Sequence, residues 1–230
     1  MNEIARKQKE FYLRKFRKYG DLPQSLSYND QRTQYARFEV LSRLFQYERE
    51  GKPFSVHEIG SGLAHFYEFL KDRTAWRFDF SGSEILGEFV RACRKKYPFL
   101  KFYQRDITQK RPSVRYDYLV LSGTFNPIQD LDVGRWEDFV ERVMLKMFAM
   151  ARKGIGLNFL TTYSDFSQKG LYYSDPKGIY DFVQKRMSRF VAIDSSYPLY
   201  EFTVLIYKES FIKKVFRESE FDKYFKKKRL

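Results

Sequence analysis

Cysteine occurs once, at Cys93, and histidine only twice. The chain therefore closes no internal disulfide and offers little nitrogen or sulfur for a metal site, and the sequence predicts none. Long apolar runs are missing too, since nothing approaches the roughly 18 uncharged apolar residues of a membrane span. The opening stretch MNEIARKQKEFYLRKFRKYG alternates charged and apolar residues where a secretory signal would present an apolar block, which predicts a cytoplasmic protein. Glycine (12) and proline (7) are sparse and nowhere dense enough to mark a linker, and no internal repeat is visible. What is there is the composition of a globular chain, 43% hydrophobic and 31% charged over 230 residues, a length that suits one generous domain.

Charge and aromatics are the two departures. Forty-three basic against 29 acidic residues give +14, but residues 1–20 hold +5 and residues 208–230 another +5, so the body between them holds only +4. A nearly neutral body with basic ends points to a small-molecule domain; nucleic acid or an anionic membrane surface remains the alternative partner for the ends. Phe (24) and Tyr (18) exceed what a core alone absorbs, so some are expected to line a pocket or cover the terminal helices.

Apolar residues at Ile4, Phe11, Tyr12, Phe16 and Tyr19 follow a helical period that Gly20 stops. A loop, DLPQSLSYND, then leads to a second helix capped by Asn29 or Asp30, with Tyr35, Phe38, Leu41, Leu44 and Phe45 as its stripe. Strands are expected at 54–59, 75–80, 100–104, 116–122, 156–161, 190–194 and 202–207. Helices are expected at 83–96, 135–151 and 176–187, the last capped by Asp175 with Pro176 in its first turn. This alternation predicts an α/β fold, a Rossmann-like seven-stranded and mostly parallel sheet with helices on both faces. Only Ser-Ser-Tyr-Pro separates the last two strands, too short for a crossover, so the final strand should run antiparallel. The expected organisation is N-terminal helices over 1–50, a core over 51–208 and a basic helical tail over 209–230 that places Phe211, Val215 and Phe216 on one face and ends in the Lys226 to Arg229 cluster.

In an open parallel sheet, ligands lie beyond the carboxyl ends of the strands. The first strand runs into Glu58-Ile-Gly60-Ser-Gly62-Leu-Ala64-His65. A dinucleotide fingerprint wants a third small residue where His65 stands, and a carboxylate ahead of the turn repels phosphate while suiting a ligand with ammonium and hydroxyl groups. Asp79, 17 residues after Gly62, is the expected ribose acceptor at the second strand's end, and Asp106 at the third faces an exocyclic amine. Three carboxylates and a glycine turn describe a site for a nucleoside with a zwitterionic, phosphate-free tail.

The stretches VHEIGSGLAHFYEFL, WRFDFSGSEILGEFVRACRKKYP, FYQRDI and YDYLVLSGTFN, with the later GIGLNFLTTYSDF and YEFTVLIYK, resemble the class I S-adenosylmethionine-dependent methyltransferases. The N-terminal YGD-P-x-S-L element and Arg37-Phe38 are similar to bacterial members associated with glycan or secondary-metabolite synthesis. The chain departs from that pattern at Ala64, where the family usually has glycine. The resemblance implies S-adenosylmethionine as cofactor, its site covered by the N-terminal helices, with Glu58, Gly60 and Gly62 shaping the methionine pocket, Asp79 on the ribose, Asp106 and Ile107 flanking the adenine, and Ser122 and Gly123 offering backbone carbonyls to the ammonium. Arg37 is a candidate for the methionine carboxylate, which a guanidinium grips with two bonds. The implied reaction is methyl transfer to oxygen or nitrogen of a small molecule, a sugar or sugar-containing intermediate being favoured. An RNA methyltransferase using the basic ends, and a noncatalytic S-adenosylmethionine-binding protein, are the alternatives. His65, Asp165 and Tyr163 are the candidate catalytic residues, with His65 or Asp165 as the general base if one is used. Asn126, Tyr163, Tyr172, Tyr173 and Tyr200 join Asp165 in loops on the acceptor side.

Overall fold

The computed structural model describes residues 3–73, 76–109 and 114–225. Two helices precede the sheet, α1 (Glu3–Tyr19) and α2 (Gln31–Ser42). Asp30 caps α2 by accepting from the Thr33 N–H at 2.8 Å. The sheet is then laid down as β1 (Phe54–Ile59), α3 (His65–Arg73), β2 (Phe78–Glu84), α4 (Gly87–Lys96), β3 (Lys101–Gln104) and β4 (Tyr116–Leu121). Helix α5 (Val133–Met150) runs without a loop into β5 (Ala151–Thr161), followed by β6 (Tyr173–Ser174), α6 (Pro176–Arg186), β7 (Val191–Asp194) and β8 (Glu201–Tyr207). Asp175 caps α6 and Pro176 opens it, as expected.

The strands lie in the order β3-β2-β1-β4-β5-β8-β7, and the two-residue β6 adds an eighth strand beside β5. Strand β8 runs antiparallel to both β5 and β7, while β1 to β5 are mutually parallel. One face of the sheet packs against α5 and α6 through Trp136, Met144, Ile179 and Val183. The other packs against α2, α3 and α4 through Phe38, Leu41, Phe69 and Val90. Most of the aromatic excess goes into this second layer, where Phe38 meets Phe66 edge to face and Phe69 at a tilt, and Phe66 and Phe69 stack.

The tail differs from a single helix. It folds as two short ones, α7 (Glu209–Val215) and α8 (Asp222–Phe225). Ile212 is buried and Phe211 packs on Tyr118 and Tyr207, whereas Phe216 is 38% exposed and meets Tyr47 edge to face. The expected Lys226 to Arg229 cluster lies outside the described residues.

Strand β2 sits later in the chain than the sequence predicts. Its partners run from Phe54↔Phe78 to Ile59↔Ser83, so Ser81, Gly82 and Ser83 are strand and not the start of a helix. The two serines are held by one ring: His57 Nδ1 lies 2.7 Å from Ser81 Oγ and its Nε2 2.7 Å from Ser83 Oγ. At Gly82 an added Cβ would stand 2.6 Å from Ser61 Oγ and 2.9 Å from Phe102 Cδ1. Glycine inside this strand therefore serves the close approach of the turn that follows β1.

Candidate active site

Beyond the carboxyl ends of β1 to β4 lies a cleft of about 1030 Å³, part of it open to solvent. Its floor is the turn after β1, where Gly60 (φ +67°) and Gly62 (φ +51°) take the left-handed conformation that side chains disfavour. A Cβ at Gly60 would collide with Thr124 Oγ1. Ala64 is left-handed as well (φ +63°) and fully buried. Its departure from glycine thus costs backbone strain of roughly 1–2 kcal/mol, beyond the crowding expected from one extra methyl.

Two carboxylates are buried in this cleft. Glu58, on β1, leaves its Oε2 without a hydrogen-bond partner. Burial, and then the charge of Glu84, push its carboxyl well above the usual carboxylate range. Glu84 ends β2 and accepts backbone N–H groups from Ile85 at 2.6 Å, Leu86 at 2.9 Å and Gly62 at 3.1 Å. Burial raises its pKa too, and those three donors oppose the rise. Asp106 lines the cleft after β3, its Oδ1 accepting from Thr108 N at 2.8 Å. Ile85 and Ile107 supply apolar walls beside Phe125, Trp136, Phe139 and Val143. Ser122 lines the cleft after β4, its Oγ 3.0 Å from Tyr28 Oη. Helix α1 closes the opposite side with Ile4, Ala5, Gln8 and Tyr12. Gln8 is fixed there by donating from Nε2 to the Pro127 carbonyl at 2.6 Å.

The cleft thus brings together Glu58, Gly60, Gly62, Asp106, Ile107, Ser122 and His65. Other expected residues lie elsewhere. Asp79 pairs with Ser55 near the start of β1 and is exposed, at the opposite end of the strand from the cleft; the carboxylate at the end of β2 is Glu84. The late register of β2 is the cause.

Arg37 does not line the cleft. Its Nε lies 2.8 and 2.7 Å from the two carboxylate oxygens of Glu201 and its Nη2 2.6 Å from Oε1, so its grip is on a buried side chain of the same protein. Gly123 is also set back, its N–H donating to Asn158 Oδ1 at 3.1 Å beneath Tyr28. His65 reaches the wall of the cleft, yet Nε2 lies 2.9 Å from Asp21 Oδ1 and Nδ1 lies 3.1 Å from Gln34 Nε2. Both ring nitrogens are therefore engaged by protein groups, and neither is free to act as a base. Tyr163 and Asp165 stand outside the cleft on the exposed loop after β5, with Asp165 accepting from Tyr200 Oη at 2.5 Å. Tyr172 is buried and donates to Glu137 at 3.2 Å.

The chain's fold is that of several methyltransferases of solved structure. The N-methyltransferase NodS of Bradyrhizobium japonicum WM9, crystallised with S-adenosyl-L-homocysteine, superposes with a TM-score of 0.62 at 11% identity over 88% of this chain and 98% of that one. The magnesium protoporphyrin IX methyltransferase ChlM of Synechocystis PCC 6803 gives 0.61 at 12% identity over 90% and 100%. No family model matches the chain. Over 165 residues, however, it is 35% identical to "Putative methyltransferase Rv1506c" of Mycobacterium tuberculosis (strain ATCC 25618 / H37Rv), covering 69% of this chain and 95% of that protein. The chain belongs to the class I S-adenosylmethionine-dependent methyltransferases.

Within this methyltransferase, sequence reasoning overlooks Glu84, Tyr28 and Gln8 on the inner face of α1. The signal for α1 was present. Gln8 interrupts an otherwise apolar face between Ile4 and Tyr12, and a polar residue there marks a cavity or a buried partner. Among the described residues no helix is long and apolar enough to cross a membrane.

Proposed function

We propose that this methyltransferase binds S-adenosylmethionine in the cleft above β1 to β4 and transfers its methyl group to an oxygen or nitrogen of a small molecule, with a sugar-containing acceptor favoured. One observation carries the cofactor's placement: carboxylates stand at the ends of three adjacent strands, Glu58, Glu84 and Asp106, around an apolar cleft. That donor-seeking set fits an ammonium, two ribose hydroxyls and an adenine amine, and it would repel a phosphate. Glu84 would hold the ribose, Asp106 the adenine amine, and Glu58 the ammonium beside the carbonyls after β4. Ile85 and Ile107 would pack on the adenine faces.

When bound, the cofactor supplies a methyl group already activated on a sulfonium. The chain's task is then alignment and exclusion of water, which α1 serves by covering the cleft with Ile4, Ala5 and Tyr12. With His65 occupied by Asp21 and Gln34, a histidine base has no support.

An exposed group supports the sugar. Tyr163, Phe166 and Tyr200 are 77%, 60% and 41% exposed after the end of β5 and just ahead of β8, with Phe166 edge-on to Tyr200 at 5.2 Å and Asp165 accepting from Tyr200 Oη. Aromatic faces with a carboxylate suit the alternating C–H and O–H surface of a pyranose. The test is native mass spectrometry for bound cofactor, then methyl transfer from methyl-tritiated S-adenosylmethionine over glycans, amines and RNA. Label in glycans, reduced in a Tyr163→Ala, Tyr200→Ala double variant, supports the reading; label in RNA alone overturns the acceptor.

A further inference from the structure

Glu58 and Glu84 share one cleft, and their surroundings treat them differently. Three backbone N–H groups point at Glu84, whereas Oε2 of Glu58 is buried with no partner. The titratable groups around them bring no compensating charge to Glu58. Tyr12 on α1, Tyr28, and Cys93 on α4 all have pKa values pushed upward by burial, Tyr28 to about 12, and are neutral near pH 7. His65 on α3 faces Asp21, and Asp106, a further acidic residue, lines the same cleft. Arg105 lines the cleft, but its Nε donates to Ser83 Oγ at 2.7 Å and its Nη2 lies 3.0 Å from His57 Nε2. Lys9 bears on Glu84 and not on Glu58. An ionised carboxylate buried without a hydrogen bond or a cation is costly, and two neighbouring carboxylates relieve the cost by keeping one proton. The three donors to Glu84 stabilise its anion, so the proton belongs to Glu58.

We propose that Glu58 stands in the free protein as a neutral carboxylic acid and loses its proton to solvent when the cofactor's ammonium takes its place beside it, so that cofactor capture releases a proton. This rests on the placement of S-adenosylmethionine argued above. In the step, the O–H bond of Glu58 breaks, its electron pair stays on the carboxylate, and the proton passes to buffer. The ammonium arrives already charged and keeps its protons. Affinity should then rise with pH, by up to about tenfold per unit while Glu58 is protonated in the free protein.

Calorimetric titration at one pH in buffers of differing ionisation enthalpy counts the protons released. Wild type with S-adenosylmethionine should release about one proton per cofactor bound, and S-adenosylhomocysteine, which keeps the ammonium, should do the same. Methylthioadenosine lacks the amino acid and should bind with no release. Glu58→Gln should bind S-adenosylmethionine with release near zero and an affinity flat in pH. The methylthioadenosine comparison needs only wild type, so it stands even if the variant misfolds. Binding without proton release, or equal release with methylthioadenosine, overturns the proposal and leaves the functional reading intact. Failure of all three ligands to bind overturns both.

Discussion

Replacing Arg37 by alanine separates a structural role from a cofactor-binding one. The guanidinium makes three contacts to Glu201 between 2.6 and 2.8 Å and a fourth to the Thr33 carbonyl at 2.7 Å, while the Glu201 side chain is 1% exposed. Without Arg37, the side-chain donor left to Glu201 among the described residues is the neutral Nδ2 of Asn158, at 3.0 Å. Breaking a buried pair from one side costs about 3–5 kcal/mol, because the partner keeps a charge it can neither hydrate nor share. At 2–4 °C per kcal/mol for a chain of this size, the melting midpoint should fall by roughly 10 °C. Urea denaturation followed by tryptophan fluorescence, with an unchanged slope, measures the loss. The double variant Arg37→Met, Glu201→Met should recover most of it, since an apolar pair of similar size leaves no buried charge. A single-variant loss below about 1 kcal/mol, the range of an exposed pair, would refute the burial reasoning. Loss of cofactor affinity in a variant that stays fully folded would return Arg37 to the methionine carboxylate.

Glu84→Ala should weaken S-adenosylmethionine binding by about 1.5–3 kcal/mol, whereas Asp79→Ala should leave it unchanged; calorimetry showing the reverse order would restore Asp79 as the ribose acceptor. Glu58→Gln should stabilise the free protein at pH 8 and not at pH 4. The folded pKa of Glu58 lies above its unfolded value of 4.5, so the wild type loses up to about 1.4 kcal/mol per pH unit as pH rises from there toward the folded value, and glutamine abolishes that loss. Melting curves across pH that run parallel for the two proteins would contradict it. Gly82→Ala should cost about 1–3 kcal/mol in denaturation experiments and weaken the cofactor, because its methyl group would press on Ser61 in the turn after β1.

What sequence could reveal followed from how local each constraint is. The turn after β1 was legible because Gly60 and Gly62 answer a backbone demand, φ values of +67° and +51°, that few other residues meet. The caps Asp30 and Asp175 were legible for a like reason, since each accepts from N–H groups two or three residues away. Arg37 was misread because its partner is 164 residues distant, and nothing near it in the chain distinguishes a cation bound for a ligand from one bound for Glu201.

Strand β2 joins both lessons. Ser81-Gly82-Ser83 has the composition of a turn, and a helix beginning at Ser83 leaves Asp79 at the end of a strand over 75–80. The polar pair is tolerated inside the sheet because His57, on β1, gives each serine a ring nitrogen at 2.7 Å. That histidine must be neutral to accept from either hydroxyl, and burial with the nearby Arg105 holds its pKa down to about 3. A buried histidine on β1 thus supports the extension of β2 to its end at Glu84. The extension carries a carboxylate to the lip of the cleft, and with it the proposed ribose site moves from Asp79 to Glu84.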